Sequence, residues 1–224
     1  MDFAALATKY VGHTAWRYEG RRDGDRKWRA EEMAAAELLR EVRKGARTLD
    51  IPVGTGRLLS HLKARRFAAH GLDVSPDMLA IARARADAIS TNVELGFGDI
   101  RAIPYEDGHF ELVTCLRFLN WIDAEGVEQA VKELARVTSD KLLLGIRYLA
   151  PIDELKRRGS PVVRLGMRVL GLTHLRARRH GLYFHDKDFV DGLFERVGFE
   201  IVNAQLIERR FDGTDYVFFL LKKL

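Results

Sequence analysis

The stretch Thr48 to Leu59, TLDIPVGTGRLL, holds an acid at Asp50 and glycines at Gly54 and Gly56. A second acid, Asp73, follows in Gly71-Leu72-Asp73-Val74-Ser75. This spacing suits a strand ending in an acid, a tight glycine turn, a helix, and a second strand ending in an acid. A glycine turn lets the backbone approach a ligand closely, and a carboxylate about 20 residues on is placed to accept from ribose hydroxyls. Asp73 lies 17 residues beyond Gly56. A dinucleotide fingerprint starting at Gly54 needs a small residue at position 59, where Leu59 stands. The glycines therefore argue against a nicotinamide or flavin site.

The elements that must position these residues follow from the flanking pattern. Residues 30 to 44, AEEMAAAELLREVRK, predict a helix with Met33, Leu38 and Val42 on its apolar face. Its acids come early and its bases late, which suits the helix dipole. Strands are expected over 47–53, 68–74, 92–97, 110–115 and 141–148. Helices are expected over 57–69, 75–89 and 125–136, with Ser75 as N-cap and Pro76 in the first helical position of the second. Such alternation implies a parallel sheet covered on both faces. Beyond His185 the pattern changes to a helix over 186–197 and two strands, 199–208 and 216–221, turning at Asp212-Gly213 and forming a hairpin at one sheet edge.

The bulk composition fits one globular domain: 224 residues, 47% of them hydrophobic. It divides into an N-terminal helical cap (1–46), a core (47–150), a basic insertion (151–185), and a terminal helix with hairpin (186–224). No apolar run reaches the ~18 residues of a membrane span, and the N-terminus does not read as a secretory signal. A single cysteine, Cys115, excludes an intramolecular disulfide and a multi-cysteine metal site, so no metal is expected. The expected location is the cytoplasm. The net charge of +5 is concentrated between Pro151 and His185, where eight bases face two acids. With +6 there, the rest of the chain sums to −1. That distribution weakens a nucleic-acid reading of the whole surface.

Four motifs taken in order resemble the class I S-adenosylmethionine-dependent methyltransferases, over roughly residues 48 to 224. They are LDIPVGTGR, Asp73 with the helix SPDMLAIARARA, Gly98-Asp99-Ile100, and PYEDGHFELVTCLRFLNWI. The resemblance implies a Rossmann-like seven-stranded α/β sheet, mostly parallel, with a C-terminal antiparallel hairpin and helices on both faces. It also implies S-adenosylmethionine as cofactor. Asp50 would help position the methionyl amino end, and Gly54 and Gly56 would admit the backbone. Asp73 would accept from the ribose hydroxyls and Asp99 from the adenine amino group. Val74, Ile100 and Cys115 complete the expected cofactor-binding set. Pro52 belongs to it too, standing where the family usually has its first glycine; it fixes φ and removes a donor.

The acceptor is less constrained, because methyl transfer mainly needs alignment and exclusion of water. A base is needed only for an acceptor protonated at neutral pH. The candidates for acceptor chemistry are His185 as a base, Arg117 as the partner of an anion, and Tyr18 within the cluster Tyr10, His13, Trp16 and Tyr18. The loop from Cys115 to Trp121 would border the acceptor pocket, and His109 reads as a solvent-exposed turn residue. Cys115 lacks the preceding proline of a cytosine-C5 nucleophile and reads as a core residue at a strand end.

Within the basic insertion, Val162, Leu165, Val169 and Leu172 share one helical face, while Arg164 and Arg168 lie together on another. An arginine-bearing lid of this kind would favour a phosphate, carboxylate or acidic glycan. A basic amphipathic helix can instead rest on an anionic membrane surface, or simply pack and be solvated outside. The expected function is methyl transfer at oxygen or nitrogen of a small or lipid-linked, anionic acceptor, by a monomer or homodimer. Nucleic acid ranks behind such an acceptor as a partner. The rival readings are an RNA methyltransferase and a non-catalytic binding protein of the same fold.

Overall fold

A computed structural model of the chain describes residues 26–151, 154, 182–210 and 213–224. The strands are β1 (Arg47–Asp50), β2 (Ala68–Asp73), β3 (Val93–Phe97), β4 (Phe110–Cys115), β5 (Thr138–Leu149), β6 (His185–Asp186), β7 (Phe199–Arg209) and β8 (Thr214–Lys223). Among the described residues the helices include α1 (Arg26–Leu39), α2 (Leu59–Ala64), α3 (Pro76–Ala88), α4 (Ala124–Val137) and α5 (Lys187–Arg196), with a 3₁₀ turn at Leu119–Trp121.

The sheet runs in the order β3-β2-β1-β4-β5-β8-β7. The first five of these strands are parallel; β8 runs antiparallel to both β5 and β7, so the terminal hairpin forms one edge. β6 is a two-residue addition beside β5, pairing His185 with Tyr148. It was not expected, because two residues are too few to show a period.

Strand alternation divides the core between the two faces of the sheet. Leu142, Leu144 and Ile146 of β5 and Val217, Phe219 and Leu221 of β8 pack with Val131 and Leu134 of α4 and Phe194 of α5. Their neighbours Leu143, Phe218 and Leu220 point the other way, against Leu38 and Leu39 of α1 and Leu59 and Leu62 of α2. Among the described residues no helix is long and apolar enough to cross a membrane.

Several local expectations were right in kind and wrong in extent. β1 stops at Asp50 rather than reaching position 53, and Pro52 has no N–H for a ladder. α2 ends at Ala64, short of the expected 69, because the chain turns through Arg66 at φ 58° to enter β2. α1 ends at Leu39 rather than 44. Met33 is 73% exposed, whereas Glu31, Ala34, Ala35, Leu38 and Leu39 are buried. Five residues of helix put Met33 roughly 140° away from Leu38, so the two cannot share a face. The expected dipole ordering also fails: Glu31 and Glu32 fall mid-helix, and Arg40, Arg43 and Lys44 lie beyond its end. By contrast, Ser75 caps α3 as expected, its Oγ accepting the Met78 N–H at 3.3 Å with Pro76 in the first turn. The N-terminal cluster, Tyr18 included, and the basic insertion's Arg164, Arg168 and apolar face lie outside the described residues.

Candidate functional site

In an open parallel sheet, a ligand crevice opens outside the carboxyl ends of the strands where the strand order reverses. Here that point lies between β1, whose other neighbour is β2, and β4. Asp50 ends β1 opposite Thr114 of β4 and Gly71 of β2; Asp73 ends β2 opposite Phe97 of β3. A cleft opens there, with Asp50, Pro52, Gly54, Asp73 and Val74 all in its wall.

The two acids are held differently. Asp50 is 4% exposed and accepts the Thr114 hydroxyl at 2.6 Å. Burial pushes its carboxyl up to about 7; the Thr114 hydrogen bond opposes that, and the neighbouring charge of Asp73 adds to it. Asp73 Oδ2 accepts the Gly54 N–H at 2.9 Å, and Oδ1 accepts the Ser75 N–H at 2.9 Å. Burial raises its pKa as well, against the pull of the backbone N–H groups of Ser75, Gly54 and Val74. Asp73 thus ties the glycine loop to the start of α3.

The loop conformation explains its glycines. Gly54 has φ 55°, and a Cβ there would meet nothing within 4 Å. It lines the cleft, so the bare backbone gives a ligand room to approach. Gly56 has φ 75° and serves packing: a Cβ would come within 2.6 Å of Leu59. It is not part of the cleft wall. Pro52 is, after a cis Ile51–Pro52 peptide. The loop's N–H contacts come from its neighbours, Ile51 donating to the Thr114 carbonyl at 2.9 Å and Val53 to the Leu72 carbonyl at 2.8 Å.

The rest of the cleft wall is apolar and cationic. Leu116, Phe118 and Trp121 come from the turn after β4, together with Arg117; Trp28 comes from α1 and Arg57 from the glycine loop. The Arg57 guanidinium lies 4.0 Å from the Trp28 ring centroid and pairs with Glu31 and with Glu32, the latter at 2.6 Å. Arg117 pairs with the same Glu31 at 3.1 Å. Trp28, Glu31 and Arg57 were missed from sequence. An arginine directly after Gly56 was the available signal; nothing local marks Glu31 or Trp28.

Other expected site residues face elsewhere. Asp99 is outside the cleft wall, its carboxylate paired with Arg101 at 2.5 Å, and that hydrogen bonding holds its pKa down. Ile100 and Cys115 are 4% and 0% exposed and point into the core. Burial pushes the Cys115 thiol up, so it is a poor nucleophile. His185 is buried away from the cleft wall, its Nε2 donating to the Leu119 carbonyl at 3.3 Å, and burial lowers its pKa. A base already engaged with a carbonyl is poorly placed for proton transfer. His109, expected in solvent, stacks in an aromatic group with His70, Tyr105 and Phe110. Among the described residues no group of His, Cys, Asp and Glu could hold a metal ion.

Comparison with known proteins adds the following. Residues 48–141 match the family model described as "Methyltransferase domain". The demethylmenaquinone methyltransferase of Thermus thermophilus is 43% identical over 94 residues, 41% of each chain. A malonyl-[acyl-carrier protein] O-methyltransferase of Halorhodospira halophila is 37% identical over 116 residues, 51% of this chain and 38% of that one. The chain thus spans less than half the length of these curated relatives. Among solved structures, the magnesium protoporphyrin IX methyltransferase of Synechocystis PCC 6803 with bound SAH superposes with a TM-score of 0.73 at 16% identity, covering 100% of both chains. That likeness carries the fold.

Proposed function

We propose that the chain, which matches a methyltransferase domain through residues 48–141, is a class I S-adenosylmethionine-dependent methyltransferase that transfers that cofactor's methyl group to oxygen or nitrogen of a small or lipid-linked anionic acceptor. One observation carries the reading: two buried acids on neighbouring strand ends flank a glycine whose missing side chain opens the backbone to the cleft.

The residues fit the cofactor group by group. Asp50, with its carboxyl near neutrality, suits a cationic amino end, because an ammonium beside it restores the charged form. Asp73, already accepting two backbone N–H groups, has lone pairs left for ribose hydroxyls. When bound, the cofactor would supply a methyl activated on sulfonium, which passes to the acceptor as S-adenosylhomocysteine leaves. The protein's share is then positioning and desolvation. Phe118, Trp121 and Trp28 give the cleft wall the apolar surface that such desolvation needs.

The acceptor class rests on that wall, apolar and aromatic yet bearing Arg57 and Arg117. Of the acceptors in the relatives' names, the malonyl group on an acyl-carrier protein is a carrier-linked acid methylated at oxygen and agrees with this class, whereas demethylmenaquinone is an uncharged quinone and agrees only with its lipid part. An acceptor ionised at neutral pH needs no base, in keeping with the placement of His185 away from the cleft. A screen for formation of S-adenosylhomocysteine, over paired anionic and neutral acceptors, tests the proposal. Turnover confined to neutral acceptors would refute the anionic class.

A further inference from the structure

Arg57 and Arg117 both line the cleft, but they are not equivalent. Arg57 is engaged on every nitrogen: Nε with Glu32, Nη1 with Glu31, Nη2 with the Trp28 carbonyl at 3.5 Å. It fastens α1 to the glycine loop. Arg117 has, among the described residues, a single carboxylate partner, Glu31 Oε2 at 3.1 Å through Nη1. A guanidinium carries five N–H donors in a rigid fork, so among the described residues the edge bearing Nε and Nη2 is left for a two-oxygen anion.

Two features mark this placement as more than packing. Arg117 sits at φ 63°, in the left-handed region that non-glycine residues rarely occupy and that persists where the surroundings impose it. Glu31, fully buried, gives one oxygen to two arginines, while its Oε1 meets no donor among the described residues. A buried ion pair with an unsatisfied oxygen is a poor source of stability. What the arrangement does accomplish is to hold the Arg117 guanidinium beside Trp28, 5.7 Å from its ring centroid, within a wall formed by Leu116, Phe118 and Trp121.

We infer that Arg117 is the specificity-determining residue of the acceptor pocket, binding an oxyanion, carboxylate or phosphate, borne on an aromatic or apolar body that packs against Trp28, Phe118 and Trp121. This rests on the cofactor reading above, since it assigns the remaining part of the same cleft. Glu31 acts through Arg117 as a positioning residue.

The test uses the full chain saturated with S-adenosylhomocysteine and titrated, by ligand-observed NMR, with benzoate, phenyl phosphate and benzamide. Benzoate or phenyl phosphate should bind at least about tenfold more tightly than benzamide, the margin of a charge-assisted pair, and whichever wins names the oxyanion. Arg117→Gln should bring the anion to within about twofold of benzamide while leaving S-adenosylhomocysteine affinity unchanged, and Arg117→Lys, with charge but no fork, should fall between. No anion preference in the wild type, or one that survives Arg117→Gln, overturns the assignment. So does a loss of S-adenosylhomocysteine affinity in Arg117→Gln with 5′-methylthioadenosine binding unchanged, which would place the guanidinium on the cofactor's own carboxylate. Failure of the wild type to bind S-adenosylhomocysteine would instead fell the function proposal, and this inference with it.

Discussion

Asp73 accepts the backbone N–H of Gly54 at 2.9 Å, so the acid that ends one strand fastens the glycine loop that follows the neighbouring strand. The same carboxylate also receives the Ser75 N–H that opens α3. It therefore has two duties: shaping the loop and, on our reading, receiving ribose hydroxyls.

Asp73→Ala removes both. We expect S-adenosylhomocysteine affinity to fall by ~1–3 kcal/mol, the cost of hydrogen bonds lost to a charged acceptor. Calorimetric titration of wild type and variant checks this; equal affinities would end the ribose assignment.

Asp50 couples the site to pH. Its carboxyl is raised to about 7 in the free protein, so below that pH it is mostly protonated and cannot pair with an ammonium. Affinity for S-adenosylhomocysteine should thus climb about tenfold per pH unit between roughly pH 5 and 7 and level off above. Calorimetry in buffers of differing ionisation enthalpy should show a proton released on binding near pH 7. A flat profile, with no proton released, would contradict the pairing.

The same group predicts a trade of stability for binding. A carboxyl raised on folding is held protonated by the folded state and surrendered by the unfolded one. Its contribution is full below the ordinary pKa of 3.8 and is lost as pH rises through about 7. Asp50→Asn keeps an oxygen for the Thr114 hydroxyl and removes the buried charge. At pH 8 it should stabilise the ligand-free protein by ~1–2 kcal/mol, or about 2–8 °C in thermal unfolding, while weakening cofactor binding. A variant less stable than wild type at pH 8 would show that the buried charge is better compensated than its surroundings indicate.

The glycines should separate by role. Gly56→Ala would force its methyl to within 2.6 Å of Leu59, on top of a left-handed φ, and should lower the melting temperature. Gly54→Ala shares only the φ cost, since its methyl meets nothing in the free protein, but that methyl would stand at the cleft. It should lose cofactor affinity out of proportion to stability. Equal loss of stability in both variants, with affinity intact in Gly54→Ala, would show that the cleft is not approached at this point.

Much of this frame was legible in the sequence. Buried strands bounded by Asp50 and Asp73, and the Ser75-Pro76 start of α3, are local signals, and each landed within a few residues. Helix ends were harder, because the left-handed turn at Arg66 and the exposure of Met33 depend on which neighbours the helices meet. Asp99, Ile100 and Cys115 sit on the expected strands and loops, but side-chain direction, which a motif does not encode, turns them toward Arg101 or the core. The Glu31–Arg57 and Glu31–Arg117 pairs join positions 26 and 86 residues apart. No local period records a contact of that range.

The central claim is that the cleft between Asp50, Gly54 and Asp73 is a cofactor site. Isothermal titration of the folded wild-type chain with S-adenosylhomocysteine tests it most directly. Saturable binding of one molecule per chain is the expected result. No saturable heat at pH 8, where Asp50 is ionised, from protein that still unfolds cooperatively, would contradict it.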